Sequence, residues 1–228
     1  MPEILRAPLA NVVLRAKILD LDEPRVLLSH SLDPPTLSNL ANTILSLKEV
    51  GALVDEGDSF QIFDGSLTNL GKVMANLPLD IRISKLIMLG HVFGVLRDAI
   101  ILGASMAIKD IFSMEQCHPT VSSYTTRKKW AHGSDSDCIA TLNAYKMWQN
   151  EKANRRLNSY QAERQWARRN GFQPRALREL EALVNDITNR LLRFGIKESI
   201  GVNKVIWQGI FNYLTHLILF KLLNLFDF

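Results

Sequence analysis

Apolar residues in the first part of the chain recur every third or fourth position, the spacing of one helix face. Leu5, Leu9, Val12, Val13, Ala16 and Leu19 place a helix over 3–19, ended by Asp20 to Pro24. A second helix is expected after Leu32-Asp33-Pro34-Pro35, with Thr36 as N-cap, Leu37, Leu40, Ala41, Ile44, Leu47 and Val50 on its inner face, and Gly51 as its left-handed stop. The period then shortens. Ala52 to Val54 is a short apolar run, Asp55-Glu56-Gly57-Asp58 reads as a turn, and Ser59 to Phe63 alternates, so a hairpin is expected. Thr68 caps a further short helix with Leu70, Val73, Met74 and Leu77 inside, stopped by Pro78. Helix, hairpin and flanking helices in this order suggest a winged helix.

From Pro78 onward the pattern is helical. Ile83, Leu86, Ile87, Val92 and Phe93 mark one helix; Leu96 to Ile108 is apolar on all sides and reads as a buried one. Residues 112–134 read as irregular and polar. Ser134 or Ser136 caps a helix presenting Ile139, Leu142, Tyr145 and Trp148, and Pro174 opens another through Leu177, Leu180, Val184, Ile187 and Leu191. Arg175 with Glu179 and Asp186 with Arg190 support that last helix at i,i+4 spacing. The expected fold is mainly α: an opening helix (1–22), a winged helix with a small β-hairpin (23–79), a ratchet-like helical bundle (80–199) and an apolar tail (200–228).

Composition changes this picture little. A chain of 228 residues with 47% hydrophobic and 22% charged residues is an ordinary globular sequence, and two cysteines, Cys117 and Cys138, make no disulfide framework. No secretory signal opens the chain, so an intracellular setting is expected. Charge is more telling once split. Residues 1–110 hold 10 Lys+Arg against 13 Asp+Glu, whereas residues 111–228 hold 17 against 10, so the basic character belongs to the second half.

The residues also limit the chemistry. There is no GxxxxGK[ST] loop to cradle phosphates, since Gly71-Lys72 is followed by Val73, and no Asp-Glu-Ala-His sequence; no catalytic residue is assigned. Cys117, His118, His132 and Cys138 match none of the paired zinc spacings, so no metal ligand is assigned. His91 sits in an apolar helix and reads as a hydrogen-bonded core residue. Val205 to Phe226 carries Lys221 as its only charge and approaches membrane-spanning length, but Gln208, Asn212, His216 and Asn224 favour burial or partner docking over a span.

Several segments together resemble the helicase-associated region that follows the two RecA-like domains of DEAH-box RNA helicases. They are Pro2-Glu3-Ile4-Leu5-Arg6-Ala7-Pro8-Leu9, Leu32-Asp33-Pro34-Pro35, Leu67-Thr68-Asn69-Leu70-Gly71-Lys72-Val73-Met74-Ala75, Leu77-Pro78-Leu79-Asp80-Ile81-Arg82, Ser136-Asp137-Cys138-Ile139, Asn143-Ala144-Tyr145 and Trp148. Leu79 to Phe93 and Asp135 to Trp148 are most similar to the Spindle-E type, germline helicases that also carry a tudor domain and act in the piRNA pathway. The resemblance covers roughly residues 2–194. It implies an accessory module that packs on RecA motor domains and forms one wall of a single-stranded RNA channel, in the cytoplasm and its perinuclear germ granules. The chain itself would need no cofactor; ATP and Mg²⁺ would belong to the motor. Two departures stand out: Gly171 occupies a usually apolar position, which suggests a looser joint before the last helix, and the residues beyond 200 do not resemble the OB-like barrel expected there.

The winged helix offers only Lys48 on the helix before the hairpin, among Asp55, Glu56, Asp58 and Asp64, which would repel phosphate. The positive candidates are Arg127, Lys128 and Lys129 beside Tyr124 and Trp130, Arg155 and Arg156, and Arg164, Arg168 and Arg169 beside Trp166, with Arg175 following. Basic residues interleaved with aromatics suit single-stranded RNA, where phosphates are neutralised and bases stack. A solvated surface with the aromatics turned inward has the same pattern, and both readings stand at this point. A rival function is a protein-interaction module that recruits tudor-class partners to an RNA-processing granule.

Overall fold

A computed structural model of the chain describes residues 2–6, 8–20, 22–54, 63–112, 119–134 and 136–198. Among these residues, a 3-10 turn at Glu3–Leu5 is followed by ten helices: α1 (Ala10–Ile18), α2 (Pro24–Ser29), α3 (Leu37–Glu49), α4 (Asn69–Asn76), α5 (Ile81–Val92), α6 (Leu96–Ala107), α7 (Pro119–Trp130), α8 (Asp137–Ala153), α9 (Tyr160–Arg169) and α10 (Pro174–Arg193). They divide into two compact units, Met1–Lys85 and Leu86–Phe228.

In the first unit, α1 packs against α2, α3 and α4. Its core is built from Val13, Leu14, Leu28, Leu40, Ile44, Leu47, Leu53 and Met74. Removing each such side chain from water stabilises the fold by about 1.5–3 kcal/mol before conformational entropy is counted. Thr36 and Thr68 cap as expected, accepting hydrogen bonds from the Asn39 and Gly71 amides. Gly71 is needed for another reason: a Cβ there would overlap the carbonyl oxygen of Ala52, so α4 can approach the 52–54 segment only without a side chain.

Among the described residues no strand forms, only isolated bridges. Leu53 faces Leu67 in an antiparallel bridge, with the Val54 amide donating to the Ser66 carbonyl at 2.8 Å and the Thr68 amide to the Ala52 carbonyl at 3.1 Å. The expected turn and most of the second arm of the hairpin fall in 55–62, outside the described residues. Leu53 is paired with Leu67, beyond the Ser59 to Phe63 arm read from the alternation.

The opening helix also differs from its periodicity. It begins at Ala10 because Pro8 lacks an amide proton and restricts the residue before it, leaving Glu3–Leu5 as a separate turn. Leu14 is fully buried, while Val12 and Leu19 face solvent. The short α2, opened by Pro24 at its first turn, is an addition to the expected pattern.

In the second unit α6 packs against α8 and α10, α7 lies on α8, and α9 lies on α10. As its all-round apolar sequence implies, α6 buries Leu96, Ala99, Ile100, Ile101, Leu102, Gly103 and Ala104. Tyr145 and Trp148 from α8 and Leu177, Leu180, Ile187 and Leu191 from α10 complete the core. The stretch read as irregular from 112 to 134 contains α7. Its polar face hid it, since periodicity reports only faces that are buried.

No helix among the described residues is long and apolar enough to cross a membrane; Val205 to Phe226 lies outside them.

Candidate nucleic-acid interface

Most of the candidate basic residues lie on three helices, α7, α9 and α10, that meet at one aromatic cluster. Phe172, almost fully buried, has ring centroids of Trp130, Phe112 and Trp166 at 5.1, 5.4 and 5.7 Å. Trp130 ends α7, Trp166 lies in the last turn of α9, and Phe172 itself leads into α10. A bridge between Phe112 and Phe172 and a hydrogen bond from the Gln173 amide to the Ile111 carbonyl at 2.8 Å close the cluster.

Gly171 is what lets the chain make this turn. Its φ of +75° follows the end of α9, where its amide donates to the Arg168 carbonyl and that of Phe172 to the Ala167 carbonyl, the paired bonds of a Schellman stop. The joint is therefore fastened rather than loose. A bulkier residue would have to hold the same left-handed backbone, with its Cβ at 3.1 Å from the Thr126 methyl.

The candidates differ in how free they are. Arg127 is half-buried, pairs with Asp110 and with Asp137 at 3.1 Å, and lies over Phe112, its guanidinium carbon 5.1 Å from the ring centroid. It anchors α7. Lys128 and Lys129 are exposed and make no ion pair among the described residues. Arg164, Arg168 and Arg169 are likewise exposed along α9 without such a pair. Arg175, whose side chain is 92% exposed, pairs with Glu179 at 3.0 Å, an interaction that solvent largely screens. Arg156 pairs with Glu151 at 3.1 Å, and Arg155 is exposed with a positive φ of 56°. Of the interleaved aromatics, Trp130 and Trp166 belong to the cluster, while Tyr124 is exposed.

One group escaped the sequence reading. Arg178 of α10 holds the buried Glu163 of α9 through Nε at 3.2 Å to both carboxylate oxygens and Nη2 at 2.5 Å to one. Its guanidinium carbon lies 4.4 Å from the ring centroid of Tyr160. Hydrogen bonding to Glu163 raises the Arg178 pKa further, against the opposing effect of burial, and keeps it cationic. Glu163 and Arg178 are fifteen residues apart and carry no local signature; Tyr160, Arg164 and Arg168, four apart, could have been recognised as one helix face.

Elsewhere the Tyr145 hydroxyl accepts from Gln149 at 2.8 Å, and its pKa is pushed well above the phenol range, first by burial and then by nearby Glu181. Burial, reinforced by Asp137, raises the Cys138 thiol. Cys117 and His118 lie outside the described residues, among which no group of three His, Cys, Asp or Glu side chains is placed to hold a metal. The Nδ1 of His91 is buried without a hydrogen-bond partner among the described residues, unlike the expectation. In the first unit Lys48 is half-buried, and Lys17 pairs with Asp64 at 2.6 Å.

No family model matches the chain. Individual proteins do. It is 44% identical over 212 residues, 91% of its length, to the probable ATP-dependent RNA helicase spindle-E of Culex quinquefasciatus. It is 39% identical over 203 residues, 89% of its length, to the ATP-dependent RNA helicase TDRD9 of Danio rerio, and 39% identical over 198 residues, 86%, to TDRD9 of Homo sapiens. The chain spans about 15% of the length of the first two and 14% of the third. These helicases are its homologues.

Proposed function

We propose that this chain, a homologue of one segment of the Spindle-E and TDRD9 RNA helicases, is their helicase-associated module, a winged helix followed by a ratchet-like bundle. It guides single-stranded RNA and packs on the RecA-like motor domains of a longer DEAH-box helicase in piRNA-mediated silencing of germline transposons. ATP and Mg²⁺ belong to that motor, and the setting is the cytoplasm and its germ granules. The observation that carries the reading is 44% identity over 91% of the chain to a probable ATP-dependent RNA helicase. The geometry supports it through Lys128, Lys129, Arg164, Arg168 and Arg169, exposed cations beside an aromatic cluster. The proposed wing region contributes fold, since its candidate cation Lys48 is half-buried and its sequence neighbours are rich in carboxylates.

Two binding measurements on the 228-residue chain test this. Single-stranded RNA should bind with an affinity that falls as salt rises, and recombinant RecA domains of a Spindle-E or TDRD9 helicase should co-sediment with it. Failure of both would remove the proposal; binding to RecA domains without RNA would favour the interaction-module reading.

A further inference from the structure

The outer face of α9 carries more than charge. Tyr160, Arg164 and Arg168 are spaced four apart, so they form one stripe with a rise of about 6 Å between successive side chains. All three are exposed, Tyr160 by 58%. Exposed aromatic rings are ordinarily free to rotate. This one is braced on one side, because Arg178 sits against it at 4.4 Å and is itself held by the buried carboxylate of Glu163. Beside the ring is a cavity of about 380 Å³, lined by Tyr160, Pro174, Arg175, Arg178, Glu179 and Ala182 and open to solvent. It is roomy enough for one planar heterocycle.

We propose that Tyr160, braced by Arg178, is a stacking platform for a base of single-stranded RNA, with Arg164 and Arg168 holding the phosphates of the same strand along α9. The inference rests on the RNA-guiding reading above and adds a base site to it. The division of labour follows from charge. Arg175 and Arg178 are paired with Glu179 and Glu163, so both cations at the cavity are already matched by carboxylates and draw an anion only weakly. Attraction for phosphate comes from Arg164 and Arg168, which make no ion pair among the described residues. Stacking on a ring already braced on one side loses less conformational entropy than stacking on a free one, and it tolerates any base. An apolar peptide is a poorer occupant, because three of the six lining residues, Arg175, Arg178 and Glu179, carry charge.

The test uses the 228-residue chain and a single-stranded RNA carrying 2-aminopurine, whose emission falls when it stacks. The wild-type chain and Tyr160→Phe should quench the probe. Tyr160→Leu should lose the quenching and bind at least about fivefold more weakly, with an unchanged salt slope and an unchanged melting temperature. Tyr160→Trp, with a larger ring, should bind at least as tightly as wild type, and decides the matter if the leucine variant misfolds. Arg164→Ala with Arg168→Ala should flatten the slope of log affinity against log salt by about 0.7 for each phosphate no longer neutralised. If RNA binds but Tyr160→Leu leaves both affinity and quenching intact, or Tyr160→Trp weakens binding, the base site is refuted while the RNA-guiding function stands. If the wild-type chain binds no RNA, both fall.

Discussion

A few single atoms decide how the second unit is held together. At Gly171 the backbone is left-handed, so alanine there should cost about 1–2 kcal/mol, and its methyl would press on Thr126. Asparagine, which tolerates this region better, should cost less than alanine; urea denaturation of the two variants measures the order, and equal stability of wild type and Gly171→Ala would contradict it. Tyr145 and Cys138 make a prediction about alkali. Both are acids whose folded pKa lies above the unfolded value, so they favour the folded chain fully at lower pH and lose that contribution as pH rises. The loss starts near the ordinary values, 9.0 for Cys138 and 10.0 for Tyr145. Stability should therefore fall as pH rises through the alkaline range, first through Cys138 and then through Tyr145, at up to about 1.4 kcal/mol per pH unit for each group. Tyr145→Phe should show a shallower fall above about pH 10; an identical pH profile would show that the phenol is not the cause.

At the scale of elements, α7 shows both how far the sequence could be read and where it stopped. Helices that bury a face declared themselves: α3, α6, α8 and α10 follow from the spacing of Leu, Ile and aromatic positions, and the caps Thr36 and Thr68 lie where expected. The helix α7 did not, because its described side chains are mainly polar and its attachment is made by distant partners. Arg127 reaches back to Asp110 and forward to Asp137, and Trp130 joins Phe172, none of which a local pattern reveals. The basic residues of the candidate interface were legible as a composition, but their roles were not. Arg127, one of three adjacent cations, is an anchor, whereas Lys128 and Lys129 are the exposed pair. Arg127→Glu should thus place a carboxylate beside two others, destabilise the chain by about 2 kcal/mol and speed amide exchange across α7. Lys128→Glu with Lys129→Glu should leave melting and exchange unchanged. Equal effects of the two would mean that Arg127 anchors nothing. Tyr160 and Arg178 were hidden for the same reason as α7, since the ring contact between them and the ion pair of Arg178 with Glu163 both span two helices.

For the molecule as a whole, charge and fold divide along similar lines. The excess of Lys and Arg lies in residues 111–228, and these residues belong to the compact unit that starts at Leu86. The first unit carries the segments that resemble a winged helix, with its acidic turn in 55–58 outside the described residues. This division makes the proposed role specific, because RNA binding is assigned to one unit and not the other. The most direct measurement is the slope of log affinity against log salt for single-stranded RNA, taken for the wild-type chain and two charge-reversed variants. Lys128→Glu, Lys129→Glu, Arg164→Glu and Arg168→Glu combined should weaken binding and lower the slope by up to about 2.8, at about 0.7 for each phosphate no longer neutralised. Lys48→Glu should leave both nearly unchanged. If the fourfold reversal changes neither affinity nor slope while Lys48→Glu reduces both, RNA is bound by the first unit and the account is wrong.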